Sequence, residues 1–295
     1  MAETARKICR RLHAYLRMDR FTGKVLAVRD DVIRLDTTIG LVSILTGTKG
    51  LLPFSVVVHS TKPFPRLLIE EGQGVLMGDE RIEIPASGAV FDLSQATDID
   101  LSAETMRSLF LPVDLDIRTR HLLRVIESND VNDSFAPLVT DAKSNVCCDE
   151  VRPQIQPLLD AFREQDGEAI RLAAAALANH GNGSVSTSDD LLCGYAAGYA
   201  ALSAALGRNP QRVVRLTREL ASGAAAHTND LCAAFLLQAG EGLMPEDLYQ
   251  LLQSIFSDAA YATTVAHANR IASTGVIGIN LLTGAYLAVT SLYAG

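Results

Sequence analysis

Between residues 21 and 98 the apolar positions come in short, β-branched runs. FTGKVLAVRDDVIRLDTTIGLVSIL, LLPFSVVVHS, GVLMGDERIEIP and GAVFDL are divided by Asp, Gly and Thr turns, the texture of half-buried strands joined by tight connections. This stretch is expected to fold as a small antiparallel β unit, barrel-like in outline. Past Asp98 the apolar spacing becomes three-and-four in LSAETMRSLF, IRTRHLLRVIES, VRPQIQPLLDAFREQ and GEAIRLAAAALANH, which predicts amphipathic helices. The run VNDSFAPLVTDAKSNVCCDE over 131–150 is polar enough to read as a linker or long loop. From Ser188 onward the chain reads as helices with recognisable starts. Asn209 with Pro210, Thr228 ahead of NDLCAAFLLQAGEG, and Pro245 with Glu246 and Asp247 each have the chemistry of a helix cap or first turn. The expected fold class is α+β: an N-terminal helix plus a small antiparallel β domain over 1–110, then an all-α bundle over 111–295.

Two of the bundle helices are unusual. LLCGYAAGYAALSAALG places Gly194 and Gly198 four apart among alanines, and VIGINLLTGAYLAVTSLYAG has no charged residue. The second is long enough to span a bilayer. Asn280, Thr283, Thr290 and Ser291 dilute it and no basic cluster follows it, so a central helix of a bundle is preferred. Small residues let neighbouring backbones approach closely.

Composition sharpens this. With 295 residues and 48% hydrophobic content the chain can bury a large core, and its five cysteines show neither CxxC spacing nor a disulfide framework. A reducing, cytoplasmic setting is expected, since the start lacks the apolar segment of a secretory signal. Residues 1–24 hold seven Lys/Arg against two acids, so this arm is +5 and the remainder −13 of the net −8. So acidic a body argues against nucleic-acid binding. The arm is expected to be a basic amphipathic helix with Ile8, Leu12, Tyr15 and Leu16 on one face, packed on its domain, with a membrane or acidic partner as the less favoured use.

The best candidate site is HGNGSVSTSDD. Gly181 and Gly183 permit unusual backbone angles, Ser184, Ser186, Thr187 and Ser188 offer donors, and a helix start supplies free N–H groups that cradle phosphate or carboxylate. It is neither a Walker loop nor a Rossmann fingerprint. Asp189 and Asp190 would repel an anion unless a cation such as magnesium bridges them, or unless one accepts a substrate N–H as a base. Acids in a first helical turn also stabilise the dipole with no chemistry at all. His227, Thr228, Asn229 and Asp230 form a second polar helix start, and Gly275, Gly278 and Asn280 mark a third. Cys147 and Cys148 lie in the polar stretch without a nearby histidine, a poor setting for a nucleophile. Arg208, Arg212 and Arg215 share a helical face that could meet an acidic partner, although a solvated face is the simpler reading. The histidines show no metal-ligand spacing, and no metal site is assigned.

Taken together, the three glycine-marked helix starts resemble the AllH-like subunits of bacterial oxamate carbamoyltransferase. That family has a glycine loop leading to DDxLxG, matched by Gly181, Gly183, Ser188, Asp189, Asp190, Leu192 and Gly194. A Thr-rich second segment is similar through Thr228, Phe235, Leu236 and Gly242, and a third through Gly278, Asn280, Leu282 and Gly284. The resemblance is firm over about 165–290 and general in the β-rich part. Val185, Ser186 and Thr187 stand where the family has Leu-Thr-Pro, Val276 and Ile277 replace a Thr-Ser pair, and Asn280 replaces an acid. The resemblance implies a subunit of a carbamoyltransferase complex. Such a complex works with an FdrA-like subunit similar to acyl-CoA synthetases, in purine or allantoin breakdown, and exchanges a carbamoyl group between oxalurate and phosphate to give oxamate and carbamoyl phosphate. It carries no residue-level mechanism. The roles expected here are Asp189 and Asp190 in catalysis, with Gly181, Gly183, Ser184, Ser186, Ser188, Thr228, Asn229, Gly278 and Asn280 holding the substrate. The alternative is a non-catalytic assembly or regulatory subunit of the same complex.

Overall fold

The computed structural model describes residues 2–47, 50–59, 63–109, 111–181 and 187–293, and among them the β-rich first part forms nine strands. The chain divides into two units, Met1–Leu101 and Ser102–Gly295.

In the first unit the strands are β1 (Ala2–Cys9), β2 (Phe21–Val28), β3 (Val32–Thr37), β4 (Gly40–Thr46), β5 (Ser55–His59), β6 (Gly74–Gly78), β7 (Arg81–Ile84), β8 (Ala89–Asp92) and β9 (Thr97–Ile99). Their order is β5-β4-β3-β2-β6-β7-β8-β1-β9, and β1 also pairs with β5. Eight strands therefore close into a barrel, with β9 added beside β1. Closure leaves the barrel strands no open edge, and Val25, Ile33, Leu35, Ile44, Val56, Ile82 and Phe91 are buried. The barrel is not wholly antiparallel as expected: β1 runs parallel to both β8 and β9, and β4 parallel to β5.

The N-terminal arm departs furthest from its prediction. Residues 2–9 form a strand, and the helix α1 begins only at Arg10 and runs to Met18. A bulge between Ala5 and Lys7 shifts the register of β1 on β5, so that Ala5 and Ile8 are both buried. Two buried positions three apart imitate helical spacing. Leu12 and Leu16 do form the buried face of α1. Arg10, Arg17 and Arg20 pair with Asp100, Glu80 and Asp79 of the same unit, so part of the arm's charge is neutralised at home.

The second unit is helical: α2 (Leu115–Ser128), α3 (Val146–Glu164), α4 (Gly167–Leu177), α5 (Thr187–Ala205), α6 (Pro210–Ala225), α7 (Asp230–Gly240), α8 (Glu246–Ile255), α9 (Tyr261–Ala272) and α10 (Val276–Tyr293). LSAETMRSLF yields only a 3₁₀ segment, Ala103–Ser108. The expected linker over 131–150 is part of the core. Ser134, Phe135 and Ala136 are buried, Asn145 caps α3 by accepting from the Cys148 N–H, and Cys147 and Cys148 are buried in its first turn. Polar residues there serve caps and turns while the apolar ones point inward.

The two small-residue helices form the centre. α10 is long and apolar enough to cross a membrane, but its buried residues pack within the bundle, chiefly on α5. A Cβ on Gly194 would lie 2.0 Å from the Leu281 carbonyl oxygen, and one on Gly284 would lie 1.9 Å from that of Leu191. The same two glycines face the backbone N of Ala285 and Tyr195. Gly198 meets Ala285 one turn further along, so both helices run in the same sense and start at one end of the pair. The contacts are reciprocal: each glycine rests against the residues three before and one after the other. A local two-fold relates α5 to α10, and it makes Asp190 and Asn280 equivalent, each four residues ahead of its glycine.

Candidate functional site at the starts of α5 and α7

The first turn of α5 is anchored before any ligand is considered. Ser188 is fully buried, its N–H donates to the His180 carbonyl at 3.0 Å, and its hydroxyl accepts from the His180 N–H at 2.9 Å. Gly181 has φ of +145°, a conformation that a side chain would strain. Ser188 thus fixes the loop. Gly183, Ser184 and Ser186 lie outside the described residues.

Asp189 is 2% exposed. Its Oδ1 accepts from the Asn179 N–H at 3.3 Å and its Oδ2 accepts from the Thr228 hydroxyl. The first and second predicted segments therefore meet, through a threonine read as the cap of α7. The cap is instead Asn229, which accepts from the Cys232 N–H at 3.0 Å and donates to the Cys232 sulfur at 3.3 Å. Moving the cap by one residue frees Thr228 for Asp189. Asn229 is exposed, with its side chain engaged in the cap.

Asp190 differs from its neighbour. Its Oδ2 is buried and has no hydrogen-bond partner among the described residues. Burial, with the charge of Asp189 added, pushes its pKa from 3.8 to about 7. A carboxyl so placed exchanges its proton at neutral pH, as a general acid or base requires. The two carboxyls thus differ in their partners: Asp189 ties two helix starts together, and the Asp190 Oδ2 has no partner among the described residues.

Two thiols complete this wall and escaped the sequence reading. Cys193 follows Asp189 and Asp190 by four and three residues, and Cys232 follows Thr228 by four, so helical periodicity would have placed them here. Burial and then the aspartate charges push the Cys193 thiol well up, and burial raises that of Cys232. They stay thiols, apolar surroundings that sustain the shift of Asp190. Burial likewise pushes Cys148 up to about 11, which suits core packing and not nucleophilic attack.

The third segment lies at the same end of the α5/α10 pair, and two of its residues make structural contacts. A Cβ on Gly278 would meet the Ile271 carbonyl at 1.9 Å, so this glycine seats α10 against the chain before it. Asn280 is fully buried and its Oδ1 accepts from the Phe135 N–H at 2.7 Å, bracing the 131–145 segment. Its Nδ2 has no partner among the described residues. Among those residues no group of three or more His, Cys, Asp or Glu side chains could hold a metal ion. Both oxygens of Asp189 are already bonded to protein donors, so the pair fits a hydrogen-bonding carboxyl better than a magnesium ligand set.

Two family models match in succession along the chain: residues 4–99 fit the AllH family N-terminal domain and residues 177–289 fit the oxamate carbamoyltransferase subunit AllH. The chain belongs to the AllH family. The first match spans the barrel, and the second begins just before the glycine loop and ends in α10, so it contains all three helix starts. No curated protein and no solved structure matches the chain. Family membership supports a carbamoyltransferase subunit role for this AllH chain, one that implies further subunits.

Proposed function

We propose that this AllH chain contributes a proton-handling pocket to a carbamoyltransferase acting on a small ureido acid, with Asp190 as the acid–base group. The observation that carries the reading is the buried, unpartnered Oδ2 of Asp190, poised near neutrality beside the tethered Asp189. In carbamoyl transfer from oxalurate to phosphate, a phosphate oxygen forms a bond to the carbamoyl carbon and the C–N bond to the oxamate nitrogen breaks. That nitrogen must gain a proton and the phosphate must lose one. A carboxyl with a pKa about 7 can give the first and recover the second, leaving Asp190 unchanged over the cycle. Thr228 and Asn179 hold Asp189 so that its charge keeps that proton available. An FdrA-like subunit and other carbamoyltransferase subunits would complete the enzyme, with purine or allantoin breakdown in the cytoplasm as its setting.

The test is to purify the chain with its partner subunits and follow carbamoyl phosphate formed from oxalurate. Asp190→Asn is expected to lower turnover about 100-fold or more, the usual contribution of a positioned acid or base, and to remove an inflection near pH 7. Undiminished turnover would sink the assignment. The second reading, a non-catalytic assembly or regulatory subunit, draws on Gly278 and Asn280 being engaged in structure. It expects the isolated chain to show no thermal shift with phosphate, oxamate or oxalurate while still forming the complex.

A further inference from the structure

At the opposite end of α5 the chemistry reverses sign. Tyr195 and Tyr199 lie one turn apart on that helix, 1% and 3% exposed, with the ring of Phe162 from α3 set 5.0 Å and 4.5 Å from theirs. Tyr199 lines two adjoining depressions, and Phe162 and Tyr195 line the first of them. One, of about 190 Å³, is flanked by Arg163 and Arg208, and the other, of about 250 Å³, by Arg208 and Arg212. None of the described residues lining either is acidic. Arg163 is paired with Asp160 at 2.6 Å, while the guanidinium of Arg208 reaches the Tyr199 hydroxyl.

The backbone adds to this. Asn209 caps the start of α6 with Pro210 in its first turn, so a helix N-terminus opens beside Arg208 and Arg212. Burial pushes both tyrosine hydroxyls up, which keeps them protonated donors. Like charges gathered over a low-dielectric floor repel one another, and a bound anion relieves that repulsion. Tyr195 and Tyr199 stand about 8 Å and 14 Å along the helix axis from Asp190, and neither depression is lined by Asp189 or Asp190.

We propose that the cleft formed by Arg163, Arg208 and Arg212 over Tyr195 and Tyr199 binds a small oxyanion, a phosphate or a carboxylate. Arg208, shared by both depressions, is the central ligand, Arg212 and Arg163 approach from either side, and the buried phenols supply neutral donors and a flat wall.

Calorimetric titration of the full chain at constant ionic strength tests this, with inorganic phosphate in one arm and malonate in the other. Saturable binding is expected in at least one arm, and the tighter arm tells phosphate from carboxylate. Arg208→Met and Arg212→Met should each weaken it about tenfold or more, the scale of one charge-assisted hydrogen bond. Arg215→Met removes the same charge from α6 outside the cleft and should leave binding unchanged. Arg212 is exposed, so its variant reports on binding even if Arg208→Met folds poorly. No saturable binding in either arm, or equal weakening by all three variants, would overturn the proposal.

Discussion

The starts of α5 and α10 are one packing arrangement used twice with different chemistry. Gly194 and Gly284 make reciprocal contacts with the partner backbone, and Leu192 and Leu282, two residues ahead of each, are fully buried. At the equivalent polar position one helix carries Asp190, with a buried oxygen unpartnered among the described residues, and the other carries Asn280, whose oxygen holds the Phe135 N–H. An acid and its amide have nearly the same shape, so the local two-fold survives the exchange. Packing can stay symmetric while the capacity to carry a proton is confined to one side.

The largest expected effect comes from breaking the shared packing. Gly194→Ala or Gly284→Ala drives a Cβ into a backbone carbonyl that cannot swing aside, and each should destabilise the bundle by about 4 kcal/mol or more. Thermal unfolding checks this, and the two-fold predicts similar losses for the two. A clearly milder effect at either glycine would break the equivalence.

Next comes the polar difference. The folded-state pKa of Asp190 lies above its unfolded value, so the folded protein binds the extra proton between about pH 4 and pH 7. Wild-type stability should therefore fall as pH rises through that window and carry the full cost above it. Asp190→Asn stays neutral throughout, and at pH 8 it should gain about 4 kcal/mol relative to its difference from wild type at pH 4. A pH-independent difference would show that the carboxyl titrates normally.

The smallest effect is expected on the α10 side. Asn280→Leu leaves the Phe135 N–H without its acceptor and should cost about 2 kcal/mol at all pH values. Hydrogen exchange at that amide checks it, with faster exchange expected in the variant. Unchanged protection would mean that the 131–145 segment does not depend on Asn280.

Much of this was legible in the residues. The β-to-helix change of period marked the α+β architecture, and the Asn209–Pro210 signal placed the start of α6 where the cap is found. The Asp pair and the HTND segment were each legible as polar helix starts, but Thr228 was read as a cap because threonine and asparagine share that chemistry. What escaped involved contacts between distant residues. The bulge in β1 disguised a strand as a helix, parallel pairings leave no local trace, and the arginine cleft gathers side chains from α3, α6 and the chain just before α6 onto tyrosines hidden in an alanine-rich run. Nor could spacing alone separate Asp189 from Asp190. Only the partners of each oxygen do that.

The position of β1 bears on how the barrel is made. This strand leaves the ribosome before any of its partners, which are residues 55–59, 89–92 and 97–99. It must wait for about ninety residues of chain before its last neighbour exists, while β2, β3 and β4 form hairpins at once. Closure is thus a late, non-local step in biogenesis. A tag or truncation that impedes residues 2–9 would strand an open sheet with exposed edges, vulnerable to aggregation before the helical unit has been synthesised.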